Sequence, residues 1–213
     1  MGKMIILLLV TALLAGCSRI GVIGDGVIKT ESRPISEFSK VEVTGGYEVE
    51  WTTGKPALTI SAAENLLPLI NTVVSGDTLK IDATENFNTS KSIKIVVSSP
   101  TLEAVELTGG NTLTASQLSG PGLKLESTGA SKINLSGSVT NLNATLTGAS
   151  RLKAKSLPAE NCTLSLVGAS EADVTVSGAL KVSVTGASSV TYSGNPKTVD
   201  KEATGASSIE QRD

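Results

Sequence analysis

The sequence predicts an all-β fold: a single-stranded parallel β-helix (solenoid) with coils of about 19 residues and a less regular N-terminal β region. Three observations carry that prediction. A short phrase recurs at Thr128-Gly129-Ala130-Ser131, Thr147-Gly148-Ala149-Ser150, Val167-Gly168-Ala169-Ser170, Thr185-Gly186-Ala187-Ser188 and Thr204-Gly205-Ala206-Ser207, after a looser copy at Thr108-Gly109-Gly110-Asn111. Its glycines lie 20, 19, 20, 18 and 19 residues apart, a period suited to one coil of a solenoid. On either side of each glycine apolar and polar residues alternate with period two, as in half-buried strands. Gly, Ser, Thr and Val dominate the composition, and helix formers are thinly scattered.

In chain order, residues 1–16 read as a lipoprotein signal peptide, with Lys3 before the apolar run Met4 to Leu14. That run is too short to span a bilayer. Leu14-Ala15-Gly16-Cys17 resembles the bacterial lipobox, which makes Cys17 the expected lipidation site and the membrane an expected partner through its acyl chains. Ser18, a non-acidic residue after the cysteine, points to the outer membrane of the bacterial cell envelope. Ser18-Arg19-Ile20-Gly21 lacks the acidic cluster of surface-exported lipoproteins, so surface and periplasmic faces both stay open. Residues 17–27 are expected to form the lipidated, glycine-rich tether.

Residues 28–100 are expected to form irregular coils or a small sheet sealing one end. One clear copy of the repeat register stands there, with Val41 and Val43 before Gly45 and Val49 and Trp51 after it. Further strands are expected at Leu58 to Ile60, Leu79 to Ile81 and Ile93 to Val97. Regular repeats fill 101–213. Aligned on the glycines, the inward columns include Val105, Leu125, Ala144, Leu164, Val182 and Lys201, and Glu103, Leu123, Leu142, Cys162, Leu180 and Val199. After the glycine they include Leu113, Ile133, Leu152, Ala172 and Val190, then Ala115, Leu135, Ala154, Val174 and Tyr192. Such strands stack in parallel on the next coil, roughly 4.8 Å away. An antiparallel sandwich would instead need hairpin turns. Asn195-Pro196-Lys197 and Lys201 are expected to spoil the last coil and blunt its edge.

Motifs along the mature chain carry a family resemblance: Gly24-Asp25-Gly26-Val27, Arg33-Pro34-Ile35 with Phe38, Val41-Glu42-Val43-Thr44-Gly45-Gly46-Tyr47-Glu48-Val49, Leu58-Thr59-Ile60-Ser61-Ala62, Gly76-Asp77-Thr78-Leu79-Lys80-Ile81 and Pro100-Thr101-Leu102. Together with the glycine repeats they resemble the bacterial family described as a putative auto-transporter adhesin, head GIN domain. The resemblance implies a GIN-like domain over 28–213 and an adhesin-like role, in the freestanding lipoprotein form. It transfers no catalytic or binding residues.

Function classes narrow from composition. There is no histidine, so imidazole-based metal sites and Ser-His-Asp catalysis are out, and no metal or other cofactor is expected. A net charge of −2 without a basic block argues against nucleic acid. Cys162 shares a column with leucines and reads as a small buried hydrophobe.

Outward columns hold the candidate site. Stacking sets Arg151 beside Glu171 and Lys153 beside Asp173, as cross-strand ion pairs or, in an enzyme, an acid/base cluster. Glu106 and Glu126 also stack, which gives a solvated pair, an acid/base pair or a cation site. Tyr47 falls in the serine column, where exposure would make it a sugar-stacking candidate. The serine column itself offers a ligand strip or a means of satisfying corner backbone groups.

These features predict a lipid-anchored, non-enzymatic binding or structural module with an unidentified protein or glycan ligand. One alternative is a polysaccharide-acting enzyme using outward carboxylates. Another is an envelope assembly component that forms homo-oligomers through its open end or a flat face.

Overall fold

The computed structural model describes residues 21–212; the predicted signal peptide and Cys17 lie outside the described residues. Strand makes up 72% of the chain and helix 3%, which fixes the all-β class. The N-terminal part supplies β1 (Val22–Ile23), β2 (Ile28–Arg33), β3 (Lys40–Gly45), β4 (Glu48–Thr53), β5 (Ala57–Ala63), a 3-10 turn (Glu64–Leu69), β6 (Ile70–Ser75), β7 (Thr78–Ala83), β8 (Phe87–Asn88) and β9 (Lys94–Ser99). The repeats supply β10 (Ala104–Gly109), β11 (Thr112–Gly129), β12 (Lys132–Gly148), β13 (Arg151–Gly168), β14 (Glu171–Gly186), β15 (Ser189–Ser193), β16 (Thr198–Gly205) and β17 (Ser208–Gln211).

Parallel register runs through the whole stack. Val41 lies opposite Val105 and Gly45 opposite Gly109; Val105 then meets Leu125 and Gly109 meets Gly129. β11, β12, β13 and β14 continue the same columns, Leu125 to Ala144 to Leu164 to Val182. The result is a parallel β-solenoid of about five turns with a less regular N-terminal sheet.

Glycine is required at the corners for two separate reasons. Gly168 has φ 109°, which side chains with a Cβ rarely adopt, and a Cβ there would stand 2.5 Å from the Gly148 carbonyl oxygen. That same oxygen accepts the Ala169 N–H at 2.7 Å, so the close approach is part of the coil-to-coil ladder.

The core follows the predicted columns. Leu123, Leu142, Cys162 and Leu180 are buried in one, and Trp51 and Tyr192 point inward. The Trp51 indole N–H donates to Ser99 Oγ at 2.9 Å, which satisfies its polar edge. Leu118, Val139, Leu157 and Val176 fill a further side of the coils, beyond the columns that the glycine alignment defines. Glu103 departs from its column and is exposed.

Both readings of the N-terminal half find a place. β7 stacks in parallel on β3, and β9 on β4, as irregular coils. β6 then pairs antiparallel with β7, and β5 with β9 and β2, as a sealing sheet. Arg33 ties this sheet together by donating to the Leu67 carbonyl at 2.8 Å and to Thr72 Oγ1 at 3.1 Å.

Two expectations need correction. Residues 21–27, read as tether, are held by the fold: β1 pairs with β8, and Asn65 accepts the Asp25 N–H at 3.0 Å while donating to the Ile23 carbonyl at 2.7 Å. The last coil is not spoiled either, since β16 pairs with β14 from Ala179 opposite Thr198 through Gly186 opposite Gly205. Lys201 keeps its inward column by lying 4.6 Å over the Tyr192 ring and donating to its hydroxyl at 3.0 Å. Its charge therefore covers the open end of the core.

Candidate binding face

The outward residues of one coil side form the candidate site. β12 contributes Lys132 and Asn134, β13 Arg151, Lys153 and Lys155, β14 Glu171 and Asp173, and β15 Ser189 and Thr191. All but Lys132 line an open groove of about 630 Å³, and Lys132 lies in an adjoining recess that shares Asn134, Arg151 and Lys153 with it. A bulge in β13 between Ala154 and Pro158 shapes one wall. Leu157 tucks fully inside there, Lys155 is carried to the rim, and Thr175 Oγ1 fixes the bend by donating to the Lys155 carbonyl at 2.9 Å.

Of the two predicted ion pairs the structure makes one. Arg151 Nε lies 2.6 Å from Glu171 Oε2 with both side chains about half exposed. The hydrogen bond from Arg151 holds the Glu171 carboxyl below the usual carboxylate range, and Glu171 raises Arg151 in turn. Lys153 and Asp173 are opposite in register, yet among the described residues no ion pair joins them.

This arrangement suits binding better than proton transfer. A general acid at neutral pH needs a carboxyl with a raised pKa, and Glu171 is displaced the other way. Glu106 and Glu126 do stack, and Glu42 joins them on the next strand. Lys80 bonds Glu42 at 2.7 Å and Lys124 bonds Glu126 at 2.7 Å, so the stack is balanced by lysines. Among the described residues no group of three His, Cys, Asp or Glu side chains converges as metal ligands. Cys162 is buried, and desolvation pushes its thiol up to about 12, which disfavours the thiolate that a nucleophile or metal ligand needs.

Tyr47 is not a surface ligand for sugars. It is 2% exposed, with its ring folded over Gly45 and its N–H donated to Asn111 Oδ1 at 3.0 Å. Its hydroxyl is buried without a partner and is pushed up to about 12 by burial, with Asp82 adding to the effect. The physical reason is the direction of the column. Ser131, Ser150, Ser170 and Ser188 are all buried, and each accepts a backbone N–H from the preceding corner: Asn111, Ser131, Ser150 and Ser170 donate at 3.2, 3.2, 3.3 and 3.2 Å. The hydroxyls in turn donate to glycine carbonyls of that corner, as Ser170 does to Gly148 at 3.3 Å. Tyr47 closes the N-terminal end of this internal ladder, which leaves no strip for a ligand.

Two features escape the glycine alignment. Lys155 sits seven residues after its corner, beyond the outward positions compared; extending that column through Ser116, Ser136 and Thr175 would have found it. Asn141 and Asn161 form a second ladder, with Asn161 donating to Asn141 Oδ1 at 3.1 Å and Asn141 to the Pro121 carbonyl at 2.9 Å.

Residues 37–196 match the family model described as putative auto-transporter adhesin, head GIN domain, which is more than half of the chain. The chain belongs to this family. Solved structures agree with the GIN-domain fold. A putative adhesin from Bacteroides fragilis is similar at 20% identity and a TM-score of 0.74, covering 90% of this chain and 100% of that one. A putative lipid binding protein from Parabacteroides distasonis has 18% identity and a TM-score of 0.57 over 90% of this chain and 99% of its own. A putative adhesin from the same organism has 15% identity and a TM-score of 0.54 over the same shares. No curated protein matches. Membership in the GIN-domain family points to an envelope or surface protein of adhesin-like role, and no helix among the described residues is long and apolar enough to cross a membrane.

Proposed function

We propose that this chain is a lipid-anchored, non-enzymatic binding module of the bacterial envelope, with Cys17 carrying the lipid and the groove over β12 to β14 meeting the ligand. The observation that carries the reading is the groove itself: a wide concavity on a parallel sheet, lined by hydroxyls, an amide and charges, with Glu171 bound to Arg151. The names of the solved relatives, putative adhesin and putative lipid binding protein, point the same way. Anchoring is supported by the lipobox and by exposed Ile23, Val27 and Ile28, which follow Cys17 closely in sequence.

Metabolic labelling with a fatty acid, followed by protease shaving of intact cells, tests the proposal. Wild-type protein takes up label and is cleaved from outside, while Cys17→Ala takes up none and leaves the membrane fraction. Label retained in Cys17→Ala refutes the anchor. Labelled protein that resists shaving of intact cells but not of lysed ones refutes the surface adhesin.

A further inference from the structure

We propose that the groove over β12, β13 and β14 binds an acidic oligosaccharide, a run of sugars bearing carboxylate or sulfate groups. The inference rests on the reading of this protein as a binding module and gives that site its ligand class.

Charge pairing singles the groove out. Of the seven lysines on strands elsewhere, Lys29, Lys40, Lys80, Lys94, Lys124 and Lys181 are each matched with a carboxylate, and Lys201 lies over the Tyr192 ring and bonds its hydroxyl. Lys132, Lys153 and Lys155 also stand on strands, and among the described residues none of the three has such a match. Arg151 is occupied by Glu171, which leaves Lys153 and Lys155 in the groove and Lys132 in the recess that adjoins it, against one carboxylate without an ion pair, Asp173. In a chain of net charge −2, the strand lysines that have neither a carboxylate nor an aromatic partner are thus gathered on one small face.

Spacing and lining decide the kind of anion. Lys153 and Lys155 stand two residues apart on one strand, with a repeat of about 6.6 Å for same-face positions, and Lys132 lies on the neighbouring strand. Separated point charges of this kind suit anionic groups on successive units of a polymer better than one small ion. Asn134, Ser136, Ser189 and Thr191 supply neutral donors and acceptors around them. Asp173 adds an acceptor for ligand hydroxyls and disfavours ligands whose charge is uninterrupted, such as polyphosphate. No aromatic residue lines the groove, which removes the stacking platform that single-stranded nucleic acid uses. A volume of about 630 Å³ falls within the range of about 300–1,000 Å³ usual for ligand sites. Binding that depends on exposed charges weakens with salt.

The test is a titration of the purified full chain with fluorescent oligosaccharides from polygalacturonate and from heparin, with maltohexaose, polyphosphate and anionic phospholipid vesicles as comparisons. Expected results are saturable binding of at least one acidic oligosaccharide, weaker binding to maltohexaose and polyphosphate, and a several-fold loss between about 50 and 200 mM salt. Lys153→Glu with Lys155→Glu should weaken binding at least about tenfold, with circular dichroism and melting unchanged. Lys55→Glu with Lys91→Glu, matched in charge and placed elsewhere, should leave it unaltered. Equal loss in both double variants, equal binding of maltohexaose, or binding to the vesicles alone overturns the proposal. Adhesion of cells displaying the protein separates the two readings. Adhesion lost in Lys153→Glu/Lys155→Glu without acidic-sugar binding removes the ligand class and keeps the module; adhesion unchanged in that variant removes the groove.

Discussion

Replacing Ser150 by alanine should destabilise the solenoid far more than removal of one hydroxyl from a sheet normally does. Ser150 Oγ accepts the Ser131 N–H at 3.2 Å and the Ser127 hydroxyl at 2.9 Å, and donates its own proton to the Gly129 carbonyl at 3.4 Å. Both Ser127 and Ser131 are buried, so neither can turn to water. The Gly129 carbonyl still receives the Ala149 N–H at 2.7 Å and loses little. An unpaired buried donor costs about 1–3 kcal/mol and a lost neutral hydrogen bond about 1, which gives about 3 kcal/mol for Ser150→Ala. Ser189→Ala, one strand residue past a corner and facing outward, should change stability by less than about 0.5 kcal/mol. Urea denaturation followed by far-ultraviolet circular dichroism measures both. Hydrogen exchange gives a local readout, because coils open as neighbours in a solenoid: the Ser131 amide should lose protection in Ser150→Ala. A loss below about 0.5 kcal/mol with Ser131 protection unchanged would refute the ladder as a stabilising element.

Other predictions address separate parts of the fold. Gly168→Ala combines an unfavourable φ with contact against the Gly148 carbonyl and should cost about 3 kcal/mol by denaturant unfolding; a cost below about 1 would contradict the corner geometry. Tyr47→Phe removes a buried hydroxyl without a partner and should leave stability unchanged or raise it by up to about 1 kcal/mol, so clear destabilisation would reveal a bond that the structure lacks. Cys162 should resist thiol reagents at pH 8 until the protein unfolds. With its thiol pushed up to about 12, the folded state holds a proton that the unfolded state releases near 9. Stability should therefore fall as pH rises from 9 towards 12, by about 1.4 kcal/mol per pH unit from this group, and Cys162→Ala should flatten that slope between 9 and 10.

Sequence legibility tracked local regularity. One glycine column placed Cys162, Trp51 and Tyr192 in the core, because period-two alternation on a coil of fixed length leaves a side chain only two directions. Tyr47 was misjudged because it sits in a corner, where the alternation breaks and the side chain's direction depends on how the next coil packs. The antiparallel pairing of β2, β5 and β9 had no signal of its own, since its strands meet across turns and loops of unequal length. Lys155 was missed because the outward columns compared stopped five residues after the corner; counting on to the seventh position places it outward, at the start of the bulge between Ala154 and Pro158. The pairing of Lys153 with Asp173 was inferred from register alone; register brings two strand positions together and does not bring long side chains into contact.

The central claim is that the recurrent Thr-Gly-Ala-Ser phrase is architecture and that recognition lies on the outward face it positions. Chemical-shift mapping of backbone amides during titration with an acidic oligosaccharide tests it directly. Shifts should concentrate on residues 132–136, 151–156 and 171–173, with Gly129, Ser150, Gly168 and Ser188 unmoved. Shifts centred on those corner residues, or spread evenly over all charged faces, would contradict it.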